Sequence, residues 1–551
     1  MNLRIKEYCF GTVRSVDGSE IVLRAEKLKV ENGKDYLHVE VGAFVNCGGF
    51  HGDTICIVTR IQIEEVEKRD GNTKENKIVN LSVVGSLDGK SKFTRGVDQL
   101  PPISCDSYLL KGEQINYLLG IDDQMDDENK KKYFNVGRRS MKGAGDVYFD
   151  LDRLLGRHVA ILGTTGSGKS STVARIAQSI LRDYPYPRLI FFDVHNEYQN
   201  AFSKQWEEKA NCIEWSKFSL PYWFLDLEEF INIYYPSAGG TQKMYIKDLI
   251  EELKSEQIED VTLKERISVD SPIFFDIDKL IKKIEEKKED SKTKAADKDT
   301  FNKIILKIKS INDDTRFSFL KTDKESQLSL GEYFTSLFGI DPENQKYISV
   351  LDLSGLPTEV RAICVGVLAR LCFDYCYWDI DPENLPISLI LEEAHTYIPE
   401  ENSSEYSLCL QRIEKIAKEG RKYGISLVVV SQRPSNVSST VLSQCGTFIT
   451  LRLTSDLDQN KIRRLLPDTL GDQANVLPSL RDGEALVTGD AMLLPGKVYF
   501  EEPNPRPKSN DVRFHKAWTK GIPKDYDIQK IIRNWQIREK SSISKGGVNE
   551  N

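Results

Sequence analysis

Over residues 1–135 apolar and polar positions alternate with a period of two, in short runs closed by turn residues. "GTVRSVDGSEIVLRAE" alternates on either side of Asp17-Gly18, a hairpin signal, and "VGAFVNC" and "TICIVTRIQIEEVE" add strands rich in Val, Ile and Thr. "VNLSVVGSLDGKSKFTRGVDQLPP" gives a further strand, a turn and an exit through paired prolines. Several short strands with regular turns predict a small β-barrel over 1–140. No catalytic cluster stands out within it.

From about residue 146 the pattern changes to buried apolar runs alternating with amphipathic ones. "HVAILG" reads as a buried strand, "KSSTVARIAQSILRDY" as an amphipathic helix and "RLIFFDV" as the next strand. "YISVLDLS", "ISLILEEA", "ISLVVVSQ" and "TFITLRLT" follow, each preceded by helical or loop sequence. Continuous apolar strands covered by helices predict a parallel α/β sheet, in two parts over 146–236 and 346–505. Between them, 237–345 carries "YIKDLIEELKSE" and "DKLIKKIEEKKEDSKTKAADKDTFNKIILKIKSI". Apolar residues at helical spacing and interleaved Lys and Glu predict an inserted helical subdomain with a solvated surface. "GEALVTG" and "GKVYFEE" read as a last strand pair. The segment 506–551 reads as a proline-rich linker, the helix "YDIQKIIRNWQIR" and a disordered tail.

Composition narrows this picture only a little. A chain of 551 residues implies about two to four domains. Its net charge of −8 excludes a surface coated in basic residues, but not a ring channel locally lined with them. No run approaches the length of a membrane span, and "MNLRIKEYCFG" lacks the apolar core of a signal peptide, so a cytoplasmic protein without a membrane segment is expected. The ten cysteines are scattered, and the six histidines lack ligand spacing. Reduced core thiols are the expectation, not a structural metal.

The chemistry concentrates in two places. "GTTGSGKS" (Gly163, Thr164, Thr165, Gly166, Ser167, Gly168, Lys169, Ser170) is a complete G-x-x-x-x-G-K-S phosphate loop between a strand and a helix, and Ser171 follows it. Glycines let consecutive N–H groups face phosphate oxygens, and the helix N-terminus adds positive potential. Lys169 is expected to bridge the β- and γ-phosphates and the Ser170 hydroxyl to ligate Mg²⁺. The second place is "SLILEEAH", where a buried strand ends in two acids. Glu392 is expected to hold Mg²⁺ through water, and Glu393 to act as the base that polarises the attacking water.

These segments resemble the HerA-like hexameric ATPases of the FtsK–HerA group of DNA-pumping motors. "HVAILGTTGSGKSSTVARI", "FFDVHNEY", "LILEEAHTYIP" and "IAKEGRKYGISLVVVSQRPSNVSSTVLSQCGTFITLRL" carry the likeness, in family order. "VGAFV" and "FTRGVDQLPP" extend it to a barrel related to that of rotary ATP synthases. The resemblance implies a RecA-like P-loop core, a glutamate habitual at the first acid, and a hexamer with ATP between subunits. Such a site needs a cation donated in trans to the γ-phosphate. Arg421 in "EGRKYG" is the candidate, with Lys422 in reserve and Arg433 of "SQRP" as a further alternative. Gln432 matches a family glutamine that senses the γ-phosphate. In "DVHNEY" positions 194 and 196 lack the family's usual Pro and Gly, while Asp193, His195 and Glu197 are retained for a role near the nucleotide or pore. Arg157 and His158 are similar to a basic pair and are expected at a subunit interface.

The implied activity is an ATP-driven, ring-shaped DNA translocase or helicase, with DNA through its central channel. Relatives of this kind work with a partner nuclease (NurA-like) or another effector (Sir2-like or other), in DNA processing or antiviral defence. The chain has no second active site of its own to recognise. The alternative, of a different class, is an ATP-stabilised hexameric scaffold that assembles and activates an effector without moving DNA.

Overall fold

Gly18 takes a left-handed φ of +55°, which closes the first hairpin so that Asp17 faces Glu20 across β1 (Cys9–Asp17) and β2 (Glu20–Ala25). Glycine adopts this conformation without a Cβ clash. In this computed structural model the described residues are 3–25, 39–49, 52–67, 73–87, 93–97, 99–118, 130–140, 145–290, 295–321, 329–341, 345–401, 406–466, 468–508, 514–520, 522 and 526–537. The tail expected to be disordered, 541–551, lies outside them.

The chain forms two compact units, Met1–Phe191 with Val365–Arg506 and Phe192–Cys364 with Pro507–Asn551. In the first unit, β3 (Phe44–Gly48), β4 (Asp53–Glu67), β5 (Thr73–Leu87), β6 (Phe93–Arg95) and β7 (Asp106–Leu109) complete an antiparallel sheet in the order β2-β1-β7-β3-β4-β5-β6. A further β2–β5 pairing closes six strands into a barrel and leaves β6 on its rim. Alternation fills the interior with Phe10, Val13, Ile21, Leu23, Val45, Val58, Val79 and Leu81, all fully or almost fully buried. Outside the barrel, Phe44, Ile55, Ile57 and Phe93 pack with Leu494 of the large sheet's last connection. Arg95 and Arg157 share Asp490 at 2.9 and 2.5 Å, which ties the rim to the same connection.

The chain then runs through β8 (Tyr133–Arg139), β9 (Asp146–Asp150), β10 (Val159–Leu162) and β11 (Leu189–Asp193), where it passes into the second unit. There β12 (Ala210–Ile213) and β13 (Ile348–Asp352) pair in parallel. Back in the first unit come β14 (Ile387–Leu391), β15 (Ile425–Ser431), β16 (Thr447–Thr450), β17 (Glu484–Gly489) and β18 (Gly496–Phe500). Within this unit the order is β11-β14-β15-β10-β16-β17-β18-β8-β9. β14, β15, β10 and β16 are parallel and buried along their whole length, as apolar strands covered on both faces must be.

The sheet is mixed, where a parallel one was expected. β17, β18, β8 and β9 extend it antiparallel, because short connections join β17 to β18 and β8 to β9 and leave no room for a crossover helix. β8, read from the sequence as the end of the barrel region, thus pairs with β18 instead.

The second unit holds the charged helices. Helices Gly240–Ser255, Ile277–Glu289 and Ala295–Asp313 bury Leu249, Leu253, Leu280, Ile284, Phe301, Ile304 and Ile308 at helical spacing. Lys283 reaches both Glu252 and Glu256 at 2.8 Å on the wet side. At the end of β11, buried Asp193 accepts the N–H groups of His195, Glu197 and Tyr198 in the loop that follows, at 3.2, 3.1 and 2.9 Å. Burial raises its pKa to about 6 against the pull of these donors. Asp193 therefore pins "DVHNEY" from within.

Candidate nucleotide site

The parallel register brings three strand ends to one edge. Leu162 of β10 faces Ser431 of β15, and Leu391 of β14 faces Val429 two residues earlier. The segments that leave this edge are 163–168, 392–393 and 432–433, so one strand geometry gathers the phosphate loop, the two acids and Gln432.

The phosphate loop is held by its backbone. Gly163 N–H donates to Ser431 O (3.2 Å), and both the N–H and the hydroxyl of Thr164 donate to Arg452 O (2.9 and 3.0 Å). Ser167 N–H and hydroxyl turn back onto Thr164 O (3.2 and 2.7 Å). Gly166 and Gly168 have φ of +75° and +98°, and a Cβ on Gly168 would stand 2.9 Å from Gly483 N. Gly483 N–H donates to Ser167 O (3.0 Å), so the loop and the start of β17 interlock. The helix Lys169–Asp183 begins at the lysine, with Lys169 and Ser170 both buried in its first turn. Its free N–H groups and positive end suit a polyphosphate.

Glu392 and Glu393 are 2 % and 3 % exposed. Glu393 takes a left-handed φ of +49°, at which the strand breaks into a tight turn over Ala394–Thr396 instead of starting an acidic helix. Thr396 closes this turn, its N–H and hydroxyl donating to Glu393 O at 2.9 and 2.8 Å. Gln432 joins the two halves of the site: its amide N–H donates to Glu393 Oε1, and its carbonyl oxygen accepts from the Thr165 hydroxyl. Glu393 Oε2 is buried without a hydrogen-bond partner among the described residues; His395 Nδ1 stands 3.2 Å away without hydrogen-bond geometry and contacts Ser431 Oγ at 3.1 Å. An orphaned, buried carboxylate oxygen beside a phosphate loop suits an acceptor for a proton from water.

The donor set also fits Mg²⁺. Ser170 and Glu392 offer hard oxygen atoms, and no group of three acidic, His or Cys side chains able to hold a metal converges among the described residues. Mg²⁺ rests on few protein ligands and fills its sphere with water and phosphate.

Arg421 is elsewhere. It lies exposed in the turn Gly420–Tyr423 before β15 begins, at the sheet edge opposite the phosphate loop, and Lys422 is beside it. Arg433 is exposed on the same edge as the loop, next to Gln432. His158 departs from expectation: it is 3 % exposed, inside the first unit. Its Nδ1 accepts Leu427 N–H and its Nε2 contacts Ala417 O, each at 3.0 Å, so it clamps both sides of the Arg421 turn. Arg157 is spent on Asp490. His395, quoted in "SLILEEAH", was given no role, and Arg452 and Gly483 were not singled out in the sequence. His395 is two residues beyond the acids and was within reach of pattern reading, whereas the other two meet the loop across about 300 residues of chain and leave no local signal.

A family description, the central domain of helicase HerA, matches residues 134–372. A probable helicase of Methanocaldococcus jannaschii is 27% identical over 72% of this chain and 73% of its own length. The chain is thus similar to the HerA helicases and carries the phosphate loop of a P-loop ATPase. A probable DNA double-strand break repair helicase HerA of the same organism is 26% identical over 84% of this chain and 91% of its own. The HerA of Sulfolobus acidocaldarius is 27% identical over 69% and 72%. Among solved structures, VirB4 of Thermoanaerobacter pseudethanolicus aligns with a TM-score of 0.47 at 15% identity, over 69% of this chain and 97% of that one. No described helix of the HerA-like chain is long and apolar enough to cross a membrane.

Proposed function

We propose that this HerA-like chain is an ATP-hydrolysing, ring-forming DNA translocase that serves as the motor for a partner enzyme. The observation that carries the reading is the continuous link from Thr165 through Gln432 to Glu393, which joins the phosphate loop to the base. Lys169 binds the β- and γ-phosphates, and Glu393 takes the proton of the attacking water on Oε2. Ser170 and Glu392, the latter through water, are the residues to hold Mg²⁺, whose charge neutralises the phosphates when bound. Gln432 lies between the γ-phosphate position and the base, so it orients Glu393 and reports on the nucleotide.

Arg421 cannot serve its own chain from the opposite sheet edge. That position supports a ring in which Arg421 of one copy completes the site of the next. Arg433, on the edge of its own loop, suits a role at its own nucleotide. The names of the relatives, helicases of DNA break repair, support DNA as the track. A hexamer, a NurA-like or other effector as partner, and a role in DNA processing or antiviral defence complete the proposal.

The test is steady-state ATP hydrolysis by the full chain and by Glu393→Gln. The amide keeps the shape and removes the base, so turnover falls by about 10²–10⁴-fold while nucleotide binding persists. Undiminished turnover in Glu393→Gln would remove the assignment of the base.

A further inference from the structure

Between the barrel and the antiparallel part of the large sheet lies a cavity of about 500 Å³, lined by none of the nucleotide-site residues. Thr59 and Arg60 of β4 line it from the barrel side, and Gln473, Asn475, Gly496 and Lys497 from the sheet side. Its chemistry is one-sided. Arg60 and Lys497 contribute two cations, and among the described residues neither has an ion-pair partner and no carboxylate lines the cavity. Gln473 is 7 % exposed, and its Nε2 is a buried donor without a hydrogen-bond partner among the described residues. A buried amide N–H left unpaired costs free energy, and a ligand acceptor removes that cost.

A third cation stands behind the wall. Arg139 of β8 is 7 % exposed, lies 5.0 Å above the Phe44 ring, and pairs with no carboxylate among the described residues; its Nε is also unpartnered. Its Nη1 is 3.4 Å from the place a Cβ on Gly496 would take, and Gly496 lines the cavity. Burial alone lowers its pKa, to about 10, so it stays charged at neutral pH. A buried guanidinium without a counter-charge is expensive for a fold to carry. Three cations and an orphaned amide around one cavity, with no acid among its described lining residues, form an arrangement that a multiply charged anion satisfies.

We infer that the cavity between barrel and sheet, walled by Arg60, Gln473 and Lys497 and backed by Arg139, is a binding site for a phosphate-bearing ligand, separate from the nucleotide loop. Phosphate is favoured over a single carboxylate because its two charges and several acceptor oxygens match more than one cation and the amide together. The cavity's size suits a ligand larger than free phosphate. A ligand there touches β4 of the barrel and β18 of the sheet at once, so its binding couples the barrel to the ATPase sheet. The same chemistry can come from a free phosphate compound or from a nucleic-acid backbone.

The test uses the full chain carrying Lys169→Ala, which disables the nucleotide loop, with thermal unfolding as the readout. Saturating pyrophosphate is expected to raise Tm by about 3 °C, and the added changes Arg60→Gln and Lys497→Gln to abolish that rise. If a short DNA duplex stabilises the chain through the same residues and pyrophosphate does not, the ligand is a nucleic-acid phosphate. Arg139→Met guards against a mere folding defect: it is expected to hold or raise Tm without ligand, yet to reduce the gain with it. A shift that survives all these changes, or no shift with either probe, overturns the inference. So does a change confined to oligomeric state, which would make the occupant an acidic side chain of another copy.

Discussion

Gln432 occupies the decisive place at the residue scale, because it hydrogen-bonds at once to the phosphate loop and to Glu393, the proposed base. Replacing it by Ala leaves Lys169 and the loop backbone in place but frees Glu393 to rotate. The expected outcome is a turnover lowered by about 10–100-fold with a KM for ATP changed far less. Equal losses in both constants would mean that Gln432 only supports binding. His158 gives a second prediction at this scale. Burial holds its imidazole below the ordinary 6.5, with nearby Arg421 adding to the effect, and its Nδ1 must stay unprotonated to accept Leu427 N–H. A depressed pKa means that the unfolded chain binds the proton more readily, so this contribution is complete above 6.5 and is lost as pH falls below it. His158→Gln should destabilise the first unit by about 1–3 kcal/mol at pH 7.5 and flatten the loss of Tm between pH 7 and pH 5.5. An unchanged pH slope would contradict the clamp.

At the scale of elements, the phosphate loop is the part with least freedom. Gly168 combines a φ of +98° with contact to Gly483, so Gly168→Ala brings backbone strain and a steric clash together. A cost of about 1–3 kcal/mol and loss of ATP binding are expected, measured by thermal unfolding and by nucleotide titration. Binding as tight as in the parent chain would show that the loop can form without the interlock. These elements also show what a sequence can say. "HVAILG", "GTTGSGKS" and "LILEE" were readable because strand, turn and acid are contiguous, and each lies where its local pattern puts it. The hairpin at Gly18 was readable for the same reason. The antiparallel extension was not, since "YFNVGRR" falls at the end of the barrel region and nothing in it names β18 as its partner. His158 was placed at an interface because it is similar to one of a family's basic pair; only the fold reveals Ala417 and Leu427 on either side of it.

At the scale of the whole molecule the central matter is assembly. Arg421 lies on the far edge of the sheet from its own phosphate loop, so the proposed role at the γ-phosphate needs a neighbouring copy. Lys169→Ala and Arg421→Ala should each lose turnover, Arg421→Ala by about 10³-fold. Co-expressed, the two variants should recover activity, because some interfaces then pair an intact lysine with an intact arginine. No recovery in mixed rings, with full activity in Arg421→Ala alone, would assign Arg421 to the surface. The scaffold alternative differs at this scale too, since it needs ATP bound but not spent.

The claim that hydrolysis serves movement on DNA is tested most directly by the ATPase rate of the full chain with and without linear duplex DNA. The account predicts stimulation by duplex ends that is independent of sequence, weakens as salt rises, and disappears in Glu393→Gln. An ATPase rate indifferent to every DNA offered would contradict it.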